Sequence, residues 1–185
     1  FAEPVVSRDE PIRTVLKGPA KATALNMDAS LMMPTATSLR TVPMKLVIEN
    51  RASMNNFLRR SWGGKVSFTH IIAYAMVQAI KDQMAMNTTY EVAEGKPSAV
   101  QHSNINLGIA IDVERGGKRQ LLVPNIKSAE QYNFARFYAA YETLVRKARK
   151  GELTMDNFTG TTVSITNPGG IGTNASVPRL MPGQA

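Results

Sequence analysis

Thr161-Thr162-Val163-Ser164-Ile165-Thr166-Asn167-Pro168-Gly169-Gly170-Ile171-Gly172 is the stretch on which the reading of this chain turns. Its first half alternates, with Val163 and Ile165 on one side and Thr162, Ser164 and Thr166 on the other. Period two with β-branched residues predicts a strand. The second half cannot extend it, because Pro168 has no N–H to donate and three glycines follow. A strand that ends in hydroxyl and amide side chains before a glycine turn suits a hydroxyl aimed at a developing oxyanion. The same residues also describe a strand with a polar face and a tight turn, with no chemistry attached.

The segments that would surround this strand alternate in type. Upstream, Asn104 to Ile111 alternates strongly and predicts a central strand, and Leu121-Leu122-Val123 a short one ended by Pro124. Tyr90-Glu91-Val92 and Ser98-Ala99-Val100, either side of Glu94-Gly95-Lys96-Pro97, predict a hairpin. Before these, Phe68, Ile71, Ile72, Ala75, Met76, Ala79 and Ile80 recur at helical spacing, with Ser67 or Thr69 as the cap. Asn133 to Lys150 reads as a capped helix with a stripe of Phe134, Phe137, Tyr138, Tyr141, Leu144, Val145 and Ala148. Its last turn is cationic and Gly151 ends it. Nearer the start, a helix is predicted from about Pro19 to Leu31, with Leu25, Met27 and Leu31 on its apolar side. A strand of small and β-branched residues is expected over Thr35–Val42, and a second helix from Pro43 to about Arg59. Residues 1–16 read as a linker or docked arm, and 17–185 as one domain. Helices alternating with strands, interrupted by a hairpin, predict an α/β fold with a mixed sheet covered by helices.

The totals bound what this domain can be. The 185 residues suffice for one domain with a sizeable core. Cysteine is absent, which excludes disulfides, a thiolate nucleophile and thiolate metal sites. The longest apolar run, Ile71 to Val77, is too short to cross a bilayer, so no membrane role is expected. The net charge of +8 comes from scattered groups such as Arg59-Arg60, Lys118-Arg119 and Arg146-Lys147. No aromatic residues interleave with them as a stacking surface requires, which argues against nucleic acid. Solvated surface explains these groups, with attraction of an anionic cofactor or partner as the second reading.

Reactive side chains are few. The two histidines are His70, in the apolar helix and read as a packed or capping residue, and His102, read as a surface residue at a hairpin end. Neither has a carboxylate at triad spacing, and no His/Asp/Glu set has metal-ligand spacing. The Gly169–Gly172 run is not a dinucleotide fingerprint, since it lacks the order and the following helix. Gly63-Gly64-Lys65 is not a phosphate loop, because Val66 stands where Ser or Thr is needed.

Several motifs in order add to this. They are Lys65-Val66-Ser67-Phe68-Thr69-His70-Ile71-Ile72, Met86-Asn87, Asn104 to Ala110, Leu121-Leu122-Val123-Pro124-Asn125-Ile126-Lys127, Arg149-Lys150-Gly151-Glu152-Leu153-Thr154, and Thr162 to Gly170. Their set, over about residues 20–184, resembles the catalytic domain of the 2-oxo acid dehydrogenase acyltransferases, the dihydrolipoamide succinyltransferase and acetyltransferase group. Pro34 to Arg40, Gly63 to Ile72 and Ser176 to Gln184 look like the large fused bacterial 2-oxoglutarate decarboxylase/dehydrogenases. The resemblance implies a chloramphenicol acetyltransferase-like fold, trimeric association and succinyl transfer between dihydrolipoamide and coenzyme A. It places Thr166 on the position of the oxyanion-donating hydroxyl, with Asn167 beside it, and leaves the cofactor-binding residues unassigned.

The resemblance also implies a setting. Lipoamide comes on a lipoyl-domain carrier, dihydrolipoamide dehydrogenase is a partner, and a dehydrogenase part using thiamine diphosphate and Mg lies on the same polypeptide, in the cytoplasm. One departure matters. The family's base is a histidine in a His-x-x-x-Asp-Gly-like motif that neither His70 nor His102 matches, so the chain is expected to be a C-terminally truncated piece, inactive alone. The alternative is a non-catalytic trimerisation or docking core of a multidomain 2-oxoglutarate-metabolising enzyme.

Overall fold

The computed structural model describes residues 11, 13–61, 63–115 and 117–185. Most of the arm expected over residues 1–16 therefore lies outside the described residues. Among the described residues, four helices, α1 (Pro19–Ser30), α2 (Lys45–Arg60), α3 (Phe68–Asp82) and α4 (Phe134–Lys150), are joined by seven strands. The strands are β1 (Thr88–Ala93), β2 (Lys96–Gln101), β3 (Leu107–Ile109), β4 (Ile111–Arg115), β5 (Lys118–Leu122), β6 (Asn125–Ile126) and β7 (Val163–Ile165). The predicted strand in the opening stretch is β7.

A mixed sheet of order β6-β3-β7 carries the site. β3 pairs antiparallel with β6 and parallel with β7, in the register Leu107↔Val163, Gly108↔Ser164 and Ile109↔Ile165. The two hairpins β1-β2 and β4-β5 pair separately. The β1-β2 turn passes through Glu94 and Gly95, both at positive φ (50° and 75°), the conformation of a type I′ turn that matches strand twist. Buried on both faces, β3 is uniformly apolar or glycine, as a central strand requires.

Gly108 has a steric reason. A Cβ there would lie 2.5 Å from Ser164 Oγ, 2.8 Å from Thr161 Cγ2 and 3.2 Å from Val123 Cγ1. The bare backbone at 108 lets the side chains of β7 cross over β3. The core continues from this sheet into α3 and α4 through Ala73, Val77, Ile80, Ile105, Leu107, Ile109, Phe137, Leu144 and Ala148.

Both helices that pack on the sheet are capped as their sequences predict. Asn133 accepts the Arg136 N–H at the start of α4, and Gly151, at φ 73°, closes its end. At α3 the cap is Ser67, in a reciprocal pair with His70. The buried face of α3 is rotated from the predicted stripe. Its buried residues are His70, Ala73, Val77 and Ile80, while Ile72, Ala75 and Ala79 are exposed. Phe68, Ile71 and Met76 of the predicted stripe are half-buried and Ile80 is buried, while the His70 ring, edge-on to Tyr138 and Tyr141 of α4, takes a position that hydrophobicity alone does not mark.

Three other expectations fail. Thr35–Val42 forms no strand; it is exposed coil, because β propensity yields a strand only where a partner supplies the ladder. Leu25, Met27 and Leu31 of α1 are exposed, and the buried residue of that helix is Ser30. The single strand expected over Asn104–Ile111 divides at Ala110, whose N–H goes to Ile165 O (3.1 Å) while β4 leaves to pair with β5.

Candidate functional site

The hydroxyls of the opening stretch do not share one open face. Thr161 Oγ1 accepts from Asn125 Nδ2 (2.8 Å). Thr162 is buried, and its Oγ1 accepts the Asn106 N–H (3.1 Å), a correction to its expected place on the polar face. Ser164 Oγ donates to Gln184 Oε1 (2.8 Å), and Ala185 N–H donates to Thr162 O (2.8 Å), so the last residues lie along the outer edge of β7. Thr166, just past the end of β7, is exposed, and among the described residues its hydroxyl has no hydrogen-bond partner.

Asn167 is exposed but held. Its Oδ1 accepts the Gly169 N–H (3.1 Å), which fixes the orientation of the amide. Its Nδ2 then donates to Thr69 Oγ1 (3.0 Å) on the first turn of α3. Pro168–Ile171 forms a short 3₁₀ turn, closed by Gly172 at φ 81°. The structure thus joins the end of β7 to the start of α3, a pairing across 98 positions that no local sequence signal announces.

Behind Thr69 stands His70, buried to 2 % exposure. Its Nδ1 accepts the Ser67 N–H (2.9 Å), so the neutral ring carries its proton on Nε2. Nε2 lies 3.1 Å from Glu142 Oε1. The rings of Tyr138 and Tyr141 meet it edge-on, with centroids at 4.9 and 4.2 Å. Burial pushes the His70 pKa below its usual 6.5, and the Glu142 carboxylate only partly opposes this. Burial likewise raises the Tyr141 phenol, with a further push from Glu142, while the neighbouring Thr69 hydroxyl acts against both. His70 is therefore a capping and packing residue, as read from the sequence.

His102 is not the surface residue expected. It is half-buried, with Nε2 3.1 Å from Thr89 Oγ1. It lines a cavity of about 270 Å³ with Asn104, Asn106, Thr161 and Gly183, beside the start of β7 and so at the opposite end of the strand from Thr166. The Gly63-Gly64 turn packs on Tyr138, whose Oη accepts the Lys65 N–H (3.2 Å); a Cβ at Gly64 would lie 2.8 Å from that oxygen. Among the described residues no three His, Asp or Glu side chains gather as a metal site would need, and no helix is long and apolar enough to cross a membrane.

A family model described as 2-oxoacid dehydrogenases acyltransferase (catalytic domain) matches residues 8–185. A 2-oxoglutarate dehydrogenase E1/E2 component of Corynebacterium glutamicum is 54% identical over 176 residues, covering 95% of this chain and 14% of that protein. A multifunctional 2-oxoglutarate metabolism enzyme of a Mycobacterium species is 52% identical over 184 residues, covering 99% of this chain and again 14% of the relative. The chain thus spans about a seventh of the length of these curated relatives. Among solved structures, a probable dihydrolipoamide acetyltransferase from Listeria monocytogenes superposes with a TM-score of 0.82 at 26% identity, over 95% of this chain and 72% of that one. The mixed sheet with surrounding helices is the fold of that domain, and the chain belongs to the 2-oxoacid dehydrogenase acyltransferase family, whose catalytic domain it carries.

Proposed function

We propose that this domain transfers a succinyl group between dihydrolipoamide and coenzyme A, with Thr166 as the oxyanion donor and Asn167 holding its loop. One observation carries the reading. Of the hydroxyls at 161, 162, 164 and 166, three are engaged within the fold, and only that of Thr166 is exposed and without a partner among the described residues. A donor to a transient oxyanion needs a rigid backbone and an unoccupied hydroxyl, because a hydroxyl already engaged has to break a bond to act.

The chemistry follows from those atoms. A base takes the proton of the coenzyme A thiol, and the thiolate attacks the thioester carbonyl carbon of the S-succinyl dihydrolipoamide. The new carbon–sulfur bond places negative charge on the former carbonyl oxygen, where the Thr166 hydroxyl donates. Collapse breaks the old carbon–sulfur bond, and the leaving thiolate recovers a proton from the conjugate acid of the base. Neither histidine of this chain serves as that base. His70 is buried with Nδ1 held by the Ser67 N–H and its ring packed against Tyr138 and Tyr141, and His102 sits at the other end of β7. The base is supplied from outside these residues, by a further part of a longer polypeptide or by a neighbouring copy.

Succinyl as the acyl group is supported by the 2-oxoglutarate relatives. Coenzyme A and lipoamide are the substrates of this domain. Thiamine diphosphate, Mg, a lipoyl carrier and dihydrolipoamide dehydrogenase belong to neighbouring parts of a cytoplasmic, trimer-forming assembly. A second reading, a docking core without chemistry, draws on the exposed apolar side chains of α1 and α2, such as Leu25, Leu46 and Phe57. Thr166→Val in the full-length protein separates the two. Succinyl transfer to coenzyme A is expected to fall by about tenfold or more with assembly intact; transfer at the wild-type rate refutes the catalytic reading.

A further inference from the structure

We infer that Thr69 is a positioning residue for the Thr166 hydroxyl, acting through Asn167; this rests on the acyl-transfer reading above. The segment from Thr166 to Gly183 leaves the sheet after Ile165, whose carbonyl still accepts from Ala110 N–H (3.1 Å), and rejoins it at Gln184. Between those points, among the described residues, a single hydrogen bond ties it to the body of the protein: Asn167 Nδ2 to Thr69 Oγ1, 3.0 Å. Pro168, Gly169 and Gly170 follow at once, and a glycine-rich segment has no side-chain packing of its own to hold it. Thr166 thus stands between two anchors, the strand register at Ile165 and the Thr69 bond at Asn167.

The second anchor is firm because α3 is firm at this point. The Ser67–His70 capping pair fixes its first turn, and the His70 ring packs edge-on to Tyr138 and Tyr141 of α4. Thr69 accepts from Asn167, so its own proton is free to turn toward the Tyr141 hydroxyl on α4. The result is a tie from the reacting loop to the first turn of α3, which packs on α4 through His70. Valine at 69 keeps the shape and removes the bond to Asn167. The loop would then lose the one hydrogen bond that, among the described residues, ties it to the body of the protein, and a donor displaced by even an ångström no longer meets the oxyanion it is meant to stabilise.

The test compares Thr69→Val, Thr69→Ser and Thr166→Val in the full-length protein, with succinyl transfer to coenzyme A and hydrogen exchange of the peptide spanning 166–172 as readouts. Thr69→Val is expected to lower kcat by about tenfold with little change in KM for either substrate, and to raise exchange in that peptide. Thr69→Ser, which keeps the hydroxyl, is expected to restore both to within about twofold. A structural role alone would lower active enzyme without this rescue or the localised exchange. Should Thr69→Val fail to assemble, Thr69→Ala removes the same hydroxyl without crowding the site, and the same readouts apply. Normal kcat in the valine or alanine variant alongside an impaired Thr166→Val overturns the role of Thr69 and leaves acyl transfer standing. Normal transfer by Thr166→Val removes the acyl-transfer reading and this inference with it.

Discussion

Gly108→Ala tests whether the close crossing of β3 and β7 sets the site. Gly108 is buried and paired on both sides, to Asn125 and to Ser164. An added methyl meets three neighbours of unequal compliance. Ser164 Oγ, at 2.5 Å, can rotate away, but it then loses Gln184. Thr161 Cγ2, at 2.8 Å, moves only with the hydroxyl that accepts from Asn125. Overpacking of this kind costs about 1–3 kcal/mol. Against it stands the stiffer unfolded chain of alanine, about 0.4–1 kcal/mol. Taking the middle of each range, the net loss is about 1.3 kcal/mol, or roughly a ninefold larger opening constant. Hydrogen exchange of a peptide covering 105–111 reads that local constant even within a long polypeptide. Faster exchange by that factor, with weaker succinyl transfer as β7 shifts, is the expected result. Unchanged or slower exchange would mean that β7 is not seated on bare backbone at 108, and the account of how Thr166 is placed would be wrong.

Two further outcomes follow from buried polar groups. Because the folded-state pKa of His70 lies below 6.5, the unfolded chain binds the extra proton first. Its contribution is therefore complete above about pH 6.5 and is lost as pH falls from there through the folded value. His70→Gln is expected to flatten the fall of the denaturation midpoint between about pH 7.5 and 5; equal slopes in both proteins would refute this. Asn87, fully buried, donates to His102 O (3.3 Å) and Asn104 O (2.9 Å) and so ties the short 3₁₀ turn Met84–Asn87, just before β1, to the approach to β3. Asn87→Ala is expected to cost about 1–3 kcal/mol, read as a lower thermal midpoint, and an unchanged midpoint would show those carbonyls to be satisfied in another way.

What the sequence made legible was local. The caps at Ser67, Asn133 and Gly151, the stripe on α4 and the alternation in β7 all depend on neighbours a few residues apart, and the structure has each of them. What it concealed was pairing at a distance. Thr35–Val42 has a strand-like composition, but no partner reaches it. Thr162 alternates correctly with Val163, yet its hydroxyl turns inward because Asn106, 56 positions earlier, presents an N–H there. The part of Thr69 was invisible for the same reason. Its nearest sequence feature is a helix cap, which Ser67 fills, leaving nothing local to explain the second hydroxyl.

The separation of those two hydroxyls on one helical turn explains how a rigid core can serve a site built on a glycine loop. Ser67 and His70 satisfy the first turn of α3 from within, so Thr69 is not needed as a cap and can face outward to Asn167. Had Thr69 been the cap, its hydroxyl would be turned to the backbone and the loop would have no tie. The neutral state of His70 serves the same end. With Nδ1 accepting from Ser67, a second proton on the ring would oppose the N–H already pointed at that nitrogen and loosen the turn that carries Thr69. Burial between the two tyrosines disfavours that proton. On the proposed reading, the histidine thereby steadies the threonine that ties the loop, and leaves the Thr166 hydroxyl open beside it.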